Sequence, residues 1–445
     1  MAVAPEPQRS LPGWPSSLTP LLTRADLPWL AFALLVAVGL RIAWVVYLNI
    51  DPNDGRFDDS VFYHNVANLL SMGVGYHDPW GHGETAQWPP AYPMTLAVLY
   101  KLFGWHLFLA KGLNIVIASA TVILVYIVSK RLFDWRTAFA AAMVLAAFPG
   151  QIFFATLVYT ETMFAMMFML VLLLTLIWTI QQPDSRWWQV LLIGFMAGVV
   201  TMVRAEGVFL AIVMVVIWLL MVRPWRTVAR YSALMVVGVV LAITPWTVRN
   251  AIQFHEFIPL RSNASDLIAR QLDPDAGTQG ESRTIRRGIQ YHITHFWEIP
   301  GFLAGPTRDL YAEDADAIVL MQKHPAPGQT LESPQPLTDD TARRWSGLAN
   351  RYFRVISLMA LAGAGLCLLR RNRGSLVLIV AALGWTLLYA NFNPLPRYHF
   401  PVGQIIAIFA AVFFIFAWDT ARQYIARVAG KRTTRASNAS GDGPL

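Results

Sequence analysis

Charge is what this chain has least of. Asp, Glu, Lys and Arg make up 14% of its 445 residues, against roughly 25% in an ordinary soluble domain. With 56% hydrophobic residues and a mean hydropathy of +0.45, that scarcity excludes a string of water-soluble domains and leaves a polytopic membrane protein. Cysteine is nearly absent as well. Cys367 stands alone inside an apolar run, which excludes an intramolecular disulfide. The chain contains neither a Walker loop nor a Rossmann glycine fingerprint, so nothing in it points to nucleotide binding. No repeat of fixed period is evident. His64, His77 and His82, and further on His292 and His295, lack the partners that a zinc spacing needs.

What the sequence does have is long apolar runs. A spanning helix takes about 20 apolar residues. Runs at 27–48, 107–129, 135–153, 160–180, 188–204, 207–222, 231–248, 353–370, 374–391 and 401–419 predict an all-α polytopic fold of about ten transmembrane helices. The net charge of +8 would suggest nucleic acid in a soluble protein, but here the basic residues sit in short connections between apolar runs. With the N-terminus inside, those connections carry Lys130, Arg131 and Arg136, then Arg186, then Arg223, Arg226 and Arg230, then Arg370, Arg371 and Arg373. This is the positive-inside pattern; it predicts cytoplasmic termini and a lipid bilayer, not nucleic acid, as partner. The run at 27–48 is too long for a signal-peptide core and reads as an uncleaved anchor.

The expected organisation follows. Residues 1–26 form a cytoplasmic tail, and 27–248 a transmembrane module whose first outer loop is 49–106. A large outer loop occupies 249–352, transmembrane helices 353–419, and a basic cytoplasmic tail 420–445, its end "KRTTRASNASGDGPL" expected to be disordered. The first loop predicts two interfacial helices. In one, Phe62, Val66, Leu69 and Leu70 form an apolar stripe beside Asp59 and Tyr63. The other follows Pro89-Pro90 as "AYPMTLAVLYKLF" and stops before Gly104.

The stretch "RFDDSVFYHN" places two carboxylates just past the first span. They read either as solvated loop charge or as a reaction centre. Asp59, Tyr63 and Ala67 recur at four-residue spacing, which puts them on one helix face with Asp59 at the N-terminal end. The helix dipole favours negative charge there, and a carboxylate so placed can act as general base.

At these residues the chain resembles the glycosyltransferase C superfamily, nearest its protein O-mannosyltransferase and lipid A aminoarabinose transferase branch, a glycosyltransferase family 39-like group. That branch carries Asp-Glu-x-x-Tyr-x-x-x-Ala and then Pro-Pro-x-Tyr. The resemblance puts the catalytic aspartate at Asp59, its tyrosine at Tyr63 and its alanine at Ala67; Pro89, Pro90 and Tyr92 match the second element. Ser60 stands where the pattern has glutamate, a departure from the two named activities. "VYTETMFAM" resembles the second outer loop, whose acidic residue is Glu161, and "PWTVRN" and "PRYHFPV" resemble later outer elements. The resemblance implies an inverting transferase of the cell envelope that moves a sugar from polyprenyl phosphate to a protein, glycolipid or cell-wall acceptor on the outer face of the cell membrane. Asp59 would deprotonate the acceptor, with Glu161 orienting the acceptor or holding a cavity arginine. Some relatives hold a divalent cation through Asp-x-Asp; this chain has Asp-Asp, so no metal or cofactor is expected.

The donor phosphate needs cations. Arg41, inside the first span, Arg204, and Arg249 and Arg397, the latter beside Tyr398, are the candidates, since arginine forks suit phosphate oxygens. Each has a plainer reading as a headgroup contact or a snorkelling side chain. Arg204 and Glu206 in "MVRAEG" read as a pair with each other. A transporter or lipid flippase is the alternative class; it predicts mid-bilayer charges and duplicated halves, and no duplication is visible.

Overall fold

The computed structural model describes residues 20–51, 58–182, 185–221, 224–262, 299–322, 336–392 and 395–439. Helix dominates them, because a backbone surrounded by hydrocarbon must satisfy its own hydrogen bonds. The helices are α1 Leu27–Leu48, α2 Asp58–Ser71, α3 Ala91–Phe103, α4 Leu107–Leu132, α5 Trp135–Ala146, α6 Pro149–Phe153, α7 Glu161–Thr175, α8 Trp187–Val203, α9 Phe209–Leu220 and α10 Trp225–Phe254. Then come α11 Ile299–Leu310, α12 Asp316–Met321, α13 Asp339–Leu369, α14 Ser375–Phe392 and, after a 3-10 turn at Pro396–Val402, α15 Gly403–Ala439.

Each apolar run expected to span falls on one of these helices, except 135–153, which is divided between α5 and α6. Among the described residues six of them are long and apolar enough to cross a membrane, and α5 passes the same test only together with the segment after it, across a bend of 56°. The runs on α8, α9 and α14 form shorter apolar helices. This is a multi-pass membrane protein. Two expectations change. α10 and α13 extend past their apolar runs into the 249–352 segment, and α15 continues to Ala439, through part of the tail expected to be disordered.

The break between α5 and α6 explains Arg41. A helix that ends leaves its last carbonyls without partners. Arg41 is buried at 1% exposure, and its Nη1 donates to Ala37 O at 3.0 Å and to Ala146 O, the last carbonyl of α5, at 3.2 Å. Tyr352 OH takes Val144 O at 2.7 Å. Arg41 thus caps a broken helix. Opposite the loop end of α1 and α4, buried Asp26 accepts from Tyr126 OH at 2.8 Å and pairs with Lys130.

Close helix contact elsewhere depends on glycine. α8 and α10 meet at Gly194, Gly198 and Gly238, where an added Cβ would come within 2.3 Å of Met235 O, 2.6 Å of the Ala242 Cβ and 2.4 Å of Leu191 O respectively. Small residues let two backbones approach in this way.

The first loop is a packed unit. Phe62, Val66 and Ala67 of α2 are fully buried, and Tyr63 meets Tyr92 of α3 edge-on at 5.5 Å. Gly104, at φ 87°, ends α3 where the sequence placed its stop. Ser60 Oγ accepts the Val158 N–H at 3.2 Å in a fully enclosed position, so this position docks α2 onto the loop before α7. Tyr92 OH donates to Asn114 of α4 at 3.0 Å, and Asn114 donates to Leu157 O at 2.6 Å. On the far face of α2, His64 Nδ1 lies 2.7 Å from Tyr100 OH, and its ring stacks on Trp105. Burial pulls the His64 imidazole down from 6.5 to about 4, only partly offset by Asp51.

Two outcomes follow. Gly238→Val should lower thermal stability of the detergent-purified protein by about 1–3 kcal/mol through overpacking; an unchanged melting temperature refutes the close approach. For His64 the unfolded state binds the extra proton between pH 6.5 and about 4, so the loop's stability is full above that window and falls as pH drops through it. Hydrogen exchange over 58–103, corrected for its intrinsic pH dependence, should quicken across the window, and His64→Gln should flatten that trend.

Candidate active site

Four separate pieces of chain bring charge to one end of the bundle. The first turn of α2 contributes Asp59, and the start of α7 contributes Thr160 and Glu161. Arg204 sits at the end of α8, with Glu206 in the 3-10 turn Ala205–Val208. The turn Pro396–Val402 contributes Arg397 and Tyr398. Each lies where a helix ends, so side chains point inward while the helices stay in apolar surroundings.

The groups form a ladder of alternating sign. Arg397 Nη1 meets Asp59 Oδ2 at 3.1 Å, and its Nη2 donates to Tyr398 OH at 3.2 Å. The Tyr398 ring carries a guanidinium from each arginine, Arg397 at 5.1 Å and Arg204 at 4.9 Å from its centroid. Tyr389 stacks on Tyr398 at 4.6 Å. Arg204 Nη1 then donates to Glu161 Oε1 at 3.0 Å and to Thr160 Oγ1 at 3.1 Å, with Glu206 a further 3.9 Å contact. Charges this far from bulk water require partners, and each arginine has a carboxylate within reach. Two buried atoms, Glu161 Oε2 and Arg397 Nε, have no hydrogen-bond partner.

Beside the ladder opens a cavity of about 420 Å³, lined by Asp59, Tyr63, Pro89, Arg204, Glu206, Arg397 and Tyr398 among others. A smaller pocket reaching Glu161 shares Arg204, Tyr389, Arg397 and Tyr398 with it. Burial, and then the Asp59 charge, push the Tyr63 phenol well above its ordinary value. Tyr159, under Arg397, is raised for the same two reasons. Both are neutral hydroxyls at physiological pH. The site therefore offers two fixed cations, the carboxylates of Asp59 and Glu206, and neutral hydroxyls. That set can hold an anion and take a proton from a neighbouring hydroxyl.

Of the residues singled out in the sequence, Asp59, Tyr63, Pro89, Arg397 and Tyr398 meet at the cavity, and Glu161 stands just behind Arg204. Asp58 opens α2. Pro90 caps α3, and Tyr92 is buried at the α3–α4 contact, so neither lines the cavity. Arg249 does not line it either. It pairs with Glu84, donates to Thr85 O at 2.9 Å and Tyr76 O at 3.2 Å, and lies over Trp246 at 5.0 Å. An arginine so placed straps the first loop to α10. The sequence reading undervalued Arg204, whose main partner is Glu161, 43 residues away, and not the adjacent Glu206. It missed Thr160, Tyr389, Trp88 and Arg261, which line the cavity; Arg261 lies over the Trp88 ring at 4.9 Å. The signal for Arg204 was an arginine ending an apolar helix; the others had none.

Among the described residues no group of three or more His, Cys, Asp or Glu is placed to hold a metal ion. His292, His295 and the Asn-Ala-Ser at 263–265 lie outside the described residues.

Comparison with known proteins bears on the fold. Residues 87–248 match the family profile described as dolichyl-phosphate-mannose-protein mannosyltransferase. The undecaprenyl phosphate-alpha-4-amino-4-deoxy-L-arabinose arabinosyl transferases of Pseudomonas aeruginosa and Pseudomonas paraeruginosa are 28% identical over 223 residues, which is 48% of this chain and 39% of theirs. The chain thus spans about two fifths of the length of these relatives in the match. Among solved structures, ArnT from Cupriavidus metallidurans bound to undecaprenyl phosphate superposes with a TM-score of 0.52 at 18% identity, over 91% of this chain and 63% of that one. The apo oligosaccharyltransferase of Archaeoglobus fulgidus superposes with a TM-score of 0.57 at 15% identity, over 94% of this chain and 52% of that one. The chain has the fold of these two solved structures, and its residues 87–248 are similar in sequence to the mannosyltransferase profile.

Proposed function

We propose that this protein is an integral-membrane inverting glycosyltransferase that moves a sugar from a polyprenyl-phosphate donor to an acceptor hydroxyl on the outer face of the cell membrane. The observation that carries the reading is the Asp59–Arg397 pair, 3.1 Å apart, at a cavity where a second arginine faces the same tyrosine ring.

In the reaction, Asp59 takes the proton of the acceptor hydroxyl as general base. The acceptor oxygen attacks the anomeric carbon from the side opposite the phosphate. The bond from that carbon to the phosphate oxygen breaks, and its electron pair leaves on the phosphate. Arg397 and Arg204 stabilise the developing anion, as fixed cations in a water-poor site do most effectively. Arg397 pairs with Asp59; a donor phosphate competes for that guanidinium and frees the carboxylate for the acceptor. Donor binding before acceptor activation is thereby favoured. Glu161 holds Arg204 in place. Tyr63 and Pro89 shape the wall nearest the reacting atoms.

The relatives named above act on, or are bound to, undecaprenyl-phosphate species, which supports a donor of that class. The arginines in the connections after α4, α7 and α9 support cytoplasmic termini, by the positive-inside rule. The 49–106 loop then serves as the catalytic unit and 249–352 as the acceptor-selecting segment. The acceptor is a protein, glycolipid or cell-wall polymer. A transporter reading gains nothing from a site whose charges gather at helix ends on one side.

Membranes carrying Asp59→Asn, assayed with a panel of radiolabelled undecaprenyl-phosphate sugars, should lose transfer by about 10²–10⁴-fold at normal expression. Retained transfer sinks the general-base assignment. Arg397→Ala should weaken undecaprenyl phosphate binding by about tenfold or more, as loss of a charge-assisted contact does. Arg41→Met should leave binding unchanged in whatever fraction folds.

A further inference from the structure

Arg397 and Tyr398 face the cavity, but the next residue, His399, turns the other way. Its ring is 3% exposed and lies against Phe353, 4.6 Å away, and Tyr311, 5.6 Å away, both nearly parallel to it. Its Nδ1 is 2.9 Å from Leu310 O and its Nε2 3.0 Å from Asp314 Oδ1. A carbonyl only accepts, so Nδ1 carries a hydrogen. One further proton is then shared between Nε2 and the Asp314 carboxyl. Burial raises that carboxyl and the histidine contact pulls it back.

Asp314 is itself a junction. Its Oδ2 accepts the Gly150 N–H at 3.1 Å, and its own N–H donates to Asn350 Oδ1 at 2.8 Å. Gly150 is in the first turn of α6, so this carboxylate satisfies an orphan donor on one side of the broken span, while Arg41 satisfies the carbonyl on the other. A Cβ at Gly150 would lie 2.3 Å from Asp314 Oδ2; only glycine admits the carboxylate. The same turn is held by Gln151, donating to Phe400 O at 3.1 Å, and by Trp385, donating to Tyr398 O at 2.9 Å. A 3-10 turn is short and has poor hydrogen bonds of its own, so its side chains point where such outside ties hold them.

We propose that Asp314 and His399 are positioning residues, a buried strap between the break in the α5–α6 span and the turn at Pro396–Val402 that aims Arg397 at Asp59 and at the donor phosphate. The inference rests on the phosphate-binding reading of Arg397. Neither residue touches substrate; each acts through the direction of the turn.

The test is a double-mutant cycle on undecaprenyl phosphate binding by the purified full-length protein, with melting temperature followed alongside. Asp314→Ala should bind about tenfold more weakly. Asp314→Asn should come back to within about twofold, because its Oδ1 can take the Gly150 N–H while its Nδ2 donates to His399 Nε2. In an Arg397→Ala background, Asp314→Ala should cost nothing further, whereas general loosening of the fold would add its full effect. Where Asp314→Ala does not fold, His399→Phe, which keeps the aromatic stack and removes the hydrogen bonds, takes its place. Parent-like binding by Asp314→Ala, or an effect fully additive with Arg397→Ala, overturns the proposal. If Arg397→Ala itself binds like the parent, the phosphate reading fails instead. The strap is then judged on a structure of Asp314→Ala, where an Asp59–Arg397 separation still at 3.1 Å would refute it.

Discussion

A cation buried at the end of an apolar bundle must be held by something of opposite sign, and much of this structure is arranged around two such cations. Arg397 finds Asp59 from the other end of the chain, 338 residues away, and Arg204 finds Glu161. Both share the face of Tyr398. These pairs require α2, α7, the end of α8 and the turn after α14 to converge. The loop packing, the Ser60 tie to Val158 and the Asn114 bridge serve that convergence.

The same rule, applied to backbone, accounts for the broken span. Ending a helix inside a membrane protein exposes carbonyls and N–H groups that hydrocarbon cannot satisfy. Arg41 and Tyr352 cover the carbonyls of α5, and Asp314 covers the N–H of α6. Because Asp314 also grips His399, the break and the site are one connected piece of polar structure.

The fold class and the order of the helices were legible from apolar runs of bilayer length, with α3 bounded by Pro90 and Gly104 as read. Part of the site was legible too, because Asp59 and Tyr63 share a helix face four residues apart, and that periodicity is local. The arginines were not. Arg41, Arg249 and Arg397 each stand in or near an apolar run, and nothing local distinguishes a helix cap from a loop strap or a site cation. Glu84 and Thr85, which occupy Arg249, are more than 160 residues from it.

By itself, then, the sequence determined what depends on neighbouring residues: spans, helix stops, the basic connections and the face carrying Asp59. Tertiary structure alone decided which buried charges meet. An arginine's role is set by its nearest carboxylate or free carbonyl, and in a bundle that partner comes from a distant segment whose position no local pattern encodes.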